Sequence, residues 1–229
     1  MPHTSIGAEE KMFSVIFDMD GTLLDTQKIC IPAWEYGGRN QNIVGMGEYI
    51  QAVCGMNRAG WTKYITDRHP DLDTERFNRE VASYISENLH VRFKRGGREL
   101  LDHLKANGVK IAIASGPSRS TISHHLGEVG AADDFDAIVG GMDVERGKPE
   151  PDIFLLAAEK LGVDPRDCFV FEDSANGVRA GYRAGMRVIG IKDIAEFPED
   201  AKRLMWRELA DMSEAIPIFD EIIKNEKDE

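Results

Sequence analysis

Five short apolar runs constrain the fold of this chain more than any other feature of its sequence. They lie at residues 13–17, 110–114, 137–139, 168–171 and 188–191. Each run is too short for a helix, is rich in β-branched or aromatic residues, and is bounded by polar residues or glycine. Runs of this kind are typical of strands that are buried on both faces of a sheet.

Helical patterns lie between these runs. Leucines recur on one face of residues 98–107, and residues 151–161 begin with a proline and end before Gly162. Residues 174–184 begin with Ser174, which is a favourable N-cap residue. Strands and helices that alternate in this way predict right-handed βαβ units. The sequence therefore predicts an α/β fold in which helices cover both faces of a parallel sheet.

A long interruption follows the first run. Between Thr26 and about Phe93 no comparable strand pattern is present, while residues 74–89 have the apolar spacing of an amphipathic helix. A segment of this length and character suits a small helix bundle inserted into the α/β fold. We therefore predict a discontinuous core made of residues 1–26 and 93–229, with a helical cap domain at residues 27–92.

Charge and apolar content exclude several classes of function. A formal net charge of −12 disfavours sequence-independent binding to nucleic acid or to an anionic membrane. No apolar stretch approaches the ~20 residues of a transmembrane helix, and residues 1–10 lack the basic segment and apolar run of a signal peptide. We expect a cytoplasmic protein without nucleic-acid or membrane partners. The oligomeric state is left open, with a monomer favoured.

Polar residues follow the first four runs at the points where the predicted strands end. They are Asp18, Asp20, Gly21 and Thr22 after the first run, Ser115 and Gly116 after the second, Lys148 in the loop after the third, and Glu172 and Asp173 after the fourth. Taken singly they are ambiguous, because acidic residues and serine also form turns and cap helices, and a lone lysine is usually solvated. Ligands of open parallel sheets, however, bind beyond the carboxyl ends of the strands.

Taken together, these residues favour phosphoryl chemistry with a magnesium ion. Four carboxylates, one lysine and one serine would meet at one edge of the sheet. Like charges crowded in a cleft are unfavourable unless a cation compensates them. Oxygen ligands suit Mg²⁺, which keeps waters and phosphate oxygens in its shell. A calcium loop of the EF-hand type is excluded, because the positions that need Gly and Glu hold Leu23 and Ile29.

The order of these motifs resembles that of the haloacid-dehalogenase-like superfamily. The likeness extends from about Phe13 to Ile191, and residues 148–154 and 172–177 are especially similar to the subgroup of β-phosphoglucomutase and the sugar-phosphate phosphatases. The resemblance implies a modified Rossmann sheet with an inserted all-helical cap of the C1 type. It also implies bound Mg²⁺, an aspartyl-phosphate intermediate and a small phosphorylated metabolite as substrate.

The resemblance further implies a role for each motif residue. Asp18 is expected to be the nucleophile, and Asp20 the general acid and then the general base. Magnesium is expected to bind Asp18, the backbone carbonyl of Asp20 and Asp173. Glu172 either completes that shell or holds a metal-bound water.

The remaining motif residues are expected to hold the phosphate and the substrate. Lys148 offsets the negative charge, and Ser115 acts with backbone N–H groups near Gly116 and Gly21 on the phosphate oxygens. Thr22 is expected to orient Asp20 or to cap the local turn. Arg58 resembles a substrate-facing residue of the cap, although a solvated arginine is nearly as good an interpretation.

Three functions agree with this pattern. The first is a phosphatase, and the second is an isomerase like β-phosphoglucomutase, which returns the phosphoryl group to its substrate. In the mutase a histidine stands ten residues after the general acid, where this chain has Cys30, so the phosphatase is favoured. The third is a non-enzymatic receiver-like module. It needs neither an inserted cap nor a general acid, so the insertion and Asp20 favour an enzyme.

Overall fold

The computed structural model describes residues 13–53 and 58–227, without the side chains at 58–59 and 226–227. Its central feature is a six-stranded, all-parallel sheet with the strand order 3-2-1-4-5-6. The strands are β1 (Ser14–Phe17), β2 (Lys110–Ser115), β3 (Ala137–Gly140), β4 (Cys168–Glu172), β5 (Arg187–Ile191) and β6 (Arg207–Leu209). The predicted α/β fold is therefore confirmed, and the five apolar runs form the first five strands.

The helices fall into a group inside the insertion and a group that covers the sheet. The first group is α1 (Cys30–Arg39), α2 (Ile50–Val53), α3 (Arg58–Thr66) and α4 (Thr74–Asn88). The second group is α5 (Gly97–Ala106), α6 (Arg119–Glu128), α7 (Asp152–Leu161), α8 (Ala175–Arg183), α9 (Glu199–Lys202) and α10 (Ala215–Lys227). None of these helices, within the described ranges, is long and apolar enough to cross a membrane.

Strand β1 lies in the middle of the sheet and is buried along its whole length. Its side chains alternate between two hydrophobic clusters, because successive residues of a strand point to opposite faces. Val15 and Phe17 join one cluster with residues of α5 and α10. Ile16 joins the other with residues of α7 and α8. This burial on both faces explains why the strand is an unbroken apolar run.

Strand β6 and helix α6 were not predicted from the sequence. Strand β6 is a three-residue edge strand in which only Leu209 is buried, so it contains no apolar run. Helix α6 buries only Ile122 and Leu126, and its N-cap is Ser118. Both elements depend on contacts with the sheet more than on a strong local pattern, which is why a pattern of apolar residues does not identify them.

The helices of the insertion pack around a hydrophobic cluster of their own. Trp34 lies edge-on to Phe77 and at a tilt to Trp61, with ring centroids 5.3 Å apart in both pairs. Ile194, which follows β5, packs against this cluster from the sheet side. The aromatic residues of the insertion thus form its core. The domain boundaries at residues 26 and 93 remain a prediction.

Candidate active site

The carboxyl ends of three neighbouring strands bring Asp18, Ser115 and Glu172 together. Ser115 and Glu172 are the last residues of β2 and β4, which flank β1, and Asp18 directly follows β1. The Asp18 backbone N–H still donates to the Phe171 carbonyl, at 3.0 Å, so its backbone is held by the sheet. All three side chains are buried. The strand-end arrangement that the sequence predicts is present in the fold.

Lys148 is the cation between two of these carboxylates. Its Nζ lies 2.5 Å from Asp18 Oδ1 and also contacts Glu172 Oε1. The ammonium group is 4.8 Å from the centre of the Phe154 ring, so it is shielded on that side. Ser115 Oγ donates to the same Asp18 oxygen, at 3.0 Å. Asp18 is therefore oriented by one charged and one neutral donor.

Glu172 holds Lys148 and is itself held by the start of α8. Its Oε2 accepts from the backbone N–H of Ser174 at 2.9 Å and from Ser174 Oγ at 3.0 Å. A side chain at Gly177 would collide with this carboxylate, so only glycine allows the approach. With both oxygens engaged, Glu172 serves to position Lys148 in this arrangement.

Asp173 and Asp20 are held by neutral donors. Thr22 Oγ1 donates to Asp173 Oδ1 at 2.7 Å, while Thr26 Oγ1 donates to Asp20 Oδ1 at 2.6 Å. The buried Thr22 hydroxyl thus contacts Asp173 at the end of β4, whereas the sequence analysis expected Thr22 to orient Asp20 or to cap the local turn. Gln27 Nε2 donates to the Asp20 backbone carbonyl at 2.7 Å and to Asp173 Oδ2 at 3.1 Å.

Burial and mutual repulsion change the acidity of the buried carboxylates. Burial raises the pKa of Asp18 to about 7, against the lowering effect of Lys148 and with a further contribution from Glu172. Burial also raises the pKa of Asp173 well above its usual range, and the charges of Glu172 and Asp18 add to the effect. Burial lowers the pKa of Lys148, but the charges of Asp18 and Glu172 outweigh it and raise the pKa overall. The site thus carries more negative charge than Lys148 alone compensates.

The donor set fits a magnesium ion. Within the part of the chain that the structure describes, no three His, Cys, Asp or Glu side chains form a full set of metal ligands. The site instead offers the carboxylates of Asp18 and Asp173 and the backbone carbonyl of Asp20. A small number of oxygen ligands from the protein suits Mg²⁺, because this ion binds one or two carboxylates and keeps several waters.

Of the remaining predicted residues, the structure describes Gly21 and Gly116 fully but does not describe the side chain of Arg58. Gly21 has a φ of +80°, and a Cβ there would lie 2.6 Å from Asp173 Oδ2, so glycine is required for both reasons. Gly116 is exposed at the end of β2, beside the site. Arg58 is the first residue of α3, but its side chain lies outside the described residues.

Three residues near the site were missed by the sequence analysis: Thr26, Gln27 and Lys94. Lys94 Nζ donates to the carbonyls of Gly21 (2.6 Å) and Lys192 (2.8 Å) and to Asp193 Oδ1 (2.8 Å). All three residues lie in the two segments that join the insertion to the sheet. Polar residues in such segments look like solvated linkers, and no spacing pattern in the sequence distinguishes them.

A cavity of about 300 Å³ adjoins Asp173 between the insertion and the sheet. Its lining is polar and apolar in nearly equal parts, and the polar part includes Gln51 from the insertion together with Asn176, Arg179 and Glu196. A cavity of this size and polarity can hold a small polar molecule next to the carboxylates.

Comparisons with known proteins find relatives of similar sequence and fold. A family model described as haloacid dehalogenase-like hydrolase matches residues 14–185. The bifunctional riboflavin kinase/FMN phosphatase of Arabidopsis thaliana is 34% identical over 192 residues, which cover 79% of this chain and 48% of that protein. The chain therefore spans about half the length of that relative.

Two bacterial relatives match over most of their length. β-Phosphoglucomutase of Bacillus subtilis is 33% identical over 79% of this chain and 83% of its own. Fructose-1-phosphate phosphatase YqaB of Escherichia coli is 32% identical over 80% of this chain and 98% of its own. A family hydrolase from Deinococcus radiodurans, solved with bound phosphate and sodium, superposes with a TM-score of 0.77 at 26% identity over 90% of this chain and 94% of its own. These matches confirm the resemblance drawn from the motifs and the prediction of an enzyme.

The crowded carboxylates predict that Asp173→Asn stabilises the protein in EDTA at pH 8. In the unfolded chain the aspartate carboxyl groups lose their protons near the usual pKa of 3.8. In the folded protein Asp18 keeps its proton up to about pH 7. Folding stability contributed by such groups is therefore present at low pH and is lost as the pH rises through this window. We expect the variant to gain at least about 1.4 kcal/mol, the equivalent of one pKa unit.

Urea unfolding at pH 5 and pH 8 measures this effect, and the gain should shrink at pH 5. Asp134→Asn is the matched control, because the ion pairs with Lys105 and Arg98 outweigh burial and lower the pKa of Asp134. This control should be destabilised at pH 8. A wild type that is more stable than Asp173→Asn in EDTA at pH 8 would contradict the interpretation.

Proposed function

The chain belongs to the haloacid dehalogenase-like hydrolase family, and on that premise we propose that it is a magnesium-dependent phosphatase of small phosphomonoesters. In this proposal Asp18 takes up the phosphoryl group and then releases it to water. The observation that carries the proposal is the position of Asp18. It is a buried carboxylate at the end of the central strand, oriented by Lys148 and Ser115.

The first step is attack of an Asp18 oxygen on phosphorus, in line with the leaving oxygen. Because Lys148 and Ser115 both donate to Oδ1, the other oxygen of Asp18 remains available for bonding to phosphorus or to a cation. Magnesium, held by Asp18, the Asp20 carbonyl and Asp173, would supply positive charge for the phosphate oxygens when bound. Lys148 adds the protein's own positive charge at the same place.

Asp20 is suited to move the proton. The leaving oxygen needs a proton as its bond to phosphorus breaks, and the attacking water must later lose one. Asp20 is half-buried, whereas Asp18 is 6% exposed, so Asp20 can reach a substrate above the sheet edge. The hydrogen bond from Thr26 fixes its carboxylate. Two carboxylates two residues apart thus have environments suited to different tasks.

Glu172 has a positioning role in this scheme. Its carboxylate bridges Lys148 and the N-terminus of α8, where Ser174 donates twice. Without Glu172, Lys148 would lose one of its two anionic partners. Asp18, Asp173 and the Asp20 carbonyl would therefore make the direct metal contacts, and Glu172 would belong to the surrounding shell.

A sugar or polyol phosphate is the proposed class of substrate. The named activities of the two bacterial relatives concern sugar phosphates, and the cavity beside Asp173 is small and carries several polar side chains. Hydroxyl groups of such a molecule could bond to Asn176 or Arg179. The helical insertion would then select the substrate and exclude water from the reaction.

Cys30 favours the phosphatase over the mutase. Burial raises the pKa of the Cys30 thiol, and the negative charges of Asp20 and Asp193 raise it further. A thiol that stays protonated at neutral pH cannot act as the base that activates a sugar hydroxyl. Water is then the better acceptor for the phosphoryl group.

Asp18→Asn tests the nucleophile. Because an amide oxygen is a poor nucleophile, we expect turnover to fall by at least a thousandfold (~4 kcal/mol) and no phosphorylated protein to form. Phosphate release and intact-protein mass spectrometry measure both effects. Asp102→Asn, which changes an exposed carboxylate on α5, is the control and should keep full activity. Activity of Asp18→Asn within tenfold of wild type would reject the assignment.

Asp20→Asn tests the general acid. The loss of rate should be about 10²–10⁴-fold for a sugar phosphate, the range of general acid catalysis. It should be much smaller for an aryl phosphate, because that leaving group needs no proton. Initial rates on the two substrates give the comparison. Equal losses on both would show that Asp20 has a structural role instead.

The choice between phosphatase and mutase is tested with β-glucose 1-phosphate and a glucose bisphosphate primer. We expect inorganic phosphate to accumulate with negligible glucose 6-phosphate, because Cys30 cannot activate the sugar hydroxyl. A coupled dehydrogenase assay detects the isomer, and a phosphate assay runs in parallel. Isomerisation that outpaces phosphate release would establish the mutase.

A further inference from the structure

Gln27 occupies a distinctive position beside the proposed metal ligands. It lies in the segment that leads from β1 into α1, three residues before the helix begins. Its Nε2 donates to the Asp20 backbone carbonyl at 2.7 Å and to Asp173 Oδ2 at 3.1 Å. One amide nitrogen therefore lies between two of the oxygens that Mg²⁺ is proposed to bind.

The amide and the ion need the same oxygens. Mg²⁺ binds its ligands at about 2.0–2.1 Å in a nearly octahedral shell, so two oxygens that share the ion must both point at it. Here both oxygens already accept hydrogen bonds from a single nitrogen. An ion that contacts both oxygens from the side on which the amide lies would come too close to Gln27 for both groups to stay in place.

The space around the amide is also limited. A Cβ at Gly21 would lie 2.5 Å from Gln27 Nε2 and 2.7 Å from its Cδ. The amide therefore fits against the turn after β1 only because residue 21 is glycine. On the other side Thr22 holds the second oxygen of Asp173, at 2.7 Å. The amide thus packs against residues that form the site, and Gln27 is partly buried.

We propose that Gln27 competes with Mg²⁺ for the Asp20 carbonyl and Asp173, and that binding of the ion displaces the amide. The inference rests on the proposed function, because it uses the same metal ligands. It adds a specific task for a residue that no motif identified. Gln27 lowers the affinity for Mg²⁺ and stabilises these oxygens when the ion leaves.

Displacement of Gln27 also affects the segment that leads into the insertion. The neighbouring Thr26 holds the carboxylate of Asp20, at 2.6 Å, so residues 26 and 27 together bind both ends of Asp20. Release of the Gln27 amide removes one of these two attachments. Occupation of the metal site is thereby linked to the freedom of the segment before α1.

A role for Gln27 in orienting the metal ligands predicts the opposite change in Mg²⁺ affinity when the amide is removed. If the amide held Asp173 in position for the ion, its removal would weaken Mg²⁺ binding, as is usual for residues that orient metal ligands. If the amide competes, its removal strengthens binding. The affinity for Mg²⁺ therefore distinguishes the two roles without any measurement of activity.

The experiment is titration of EDTA-treated, dialysed protein with MgCl₂ by isothermal calorimetry. We expect Gln27→Ala to bind Mg²⁺ about 3- to 10-fold more tightly than wild type, which corresponds to the loss of one competing hydrogen bond of ordinary net strength. In EDTA the same variant should have a lower melting temperature, because Asp173 and the Asp20 carbonyl each lose a donor. Gln27→Asn should act in the same direction, since its shorter side chain cannot bridge both oxygens.

Gln41→Ala is the matched control. Among the contacts described for it, the Gln41 side chain bonds only to the backbone of Asp73, within the insertion. It should leave the Mg²⁺ dissociation constant unchanged. Equal or weaker Mg²⁺ binding by both Gln27 variants, with normal binding by wild type, would overturn the competition and leave the proposed metal site intact. If wild type and all variants bind no Mg²⁺, the proposed metal site and the competition both fail.

Discussion

The contact of Lys148 with Asp18 and Glu172 is the interaction on which the rest of the site depends. Three charged side chains at the edge of a buried sheet would be unstable without mutual compensation. Lys148 compensates part of the negative charge and orients one oxygen of Asp18. Asp173 lies outside this triad and is held by neutral donors. The site is thus built with an excess of negative charge that a divalent cation can balance.

The excess negative charge destabilises the folded protein, but contacts with the sheet and α8 hold the carboxylates in place. The backbone of Asp18 is bonded to β4, and Glu172 is held by the start of α8, so neither carboxylate can move away from its neighbours. Burial then raises the pKa values of Asp18 and Asp173. The rigid backbone that keeps these carboxylates close together also keeps the nucleophile in one orientation. Such positioning is a main contribution of a protein to phosphoryl transfer.

The two segments that lead into and out of the insertion also contact the site. Thr26 and Gln27 bind Asp20 and Asp173, while Lys94 binds the carbonyl of Gly21 and the carboxylate of Asp193. The insertion is therefore attached to the residues that would hold the ion and move the proton. A change in the insertion can reach the site through hydrogen bonds of single side chains, without any deformation of the sheet.

Local sequence patterns were sufficient to predict much of the fold and part of the site. Apolar runs predicted strands β1 to β5, because a strand buried on both faces must be apolar, and the convergence of Asp18, Ser115 and Glu172 follows from the parallel order of those strands. The edge strand β6 has one buried residue and leaves no such pattern. The partners of Thr22, Gln27 and Lys94 were decided only by the tertiary structure. They lie up to 151 residues away in the chain, and a hydrogen bond depends on distances and directions that exist only once the sheet, the turn after β1 and the insertion have packed together.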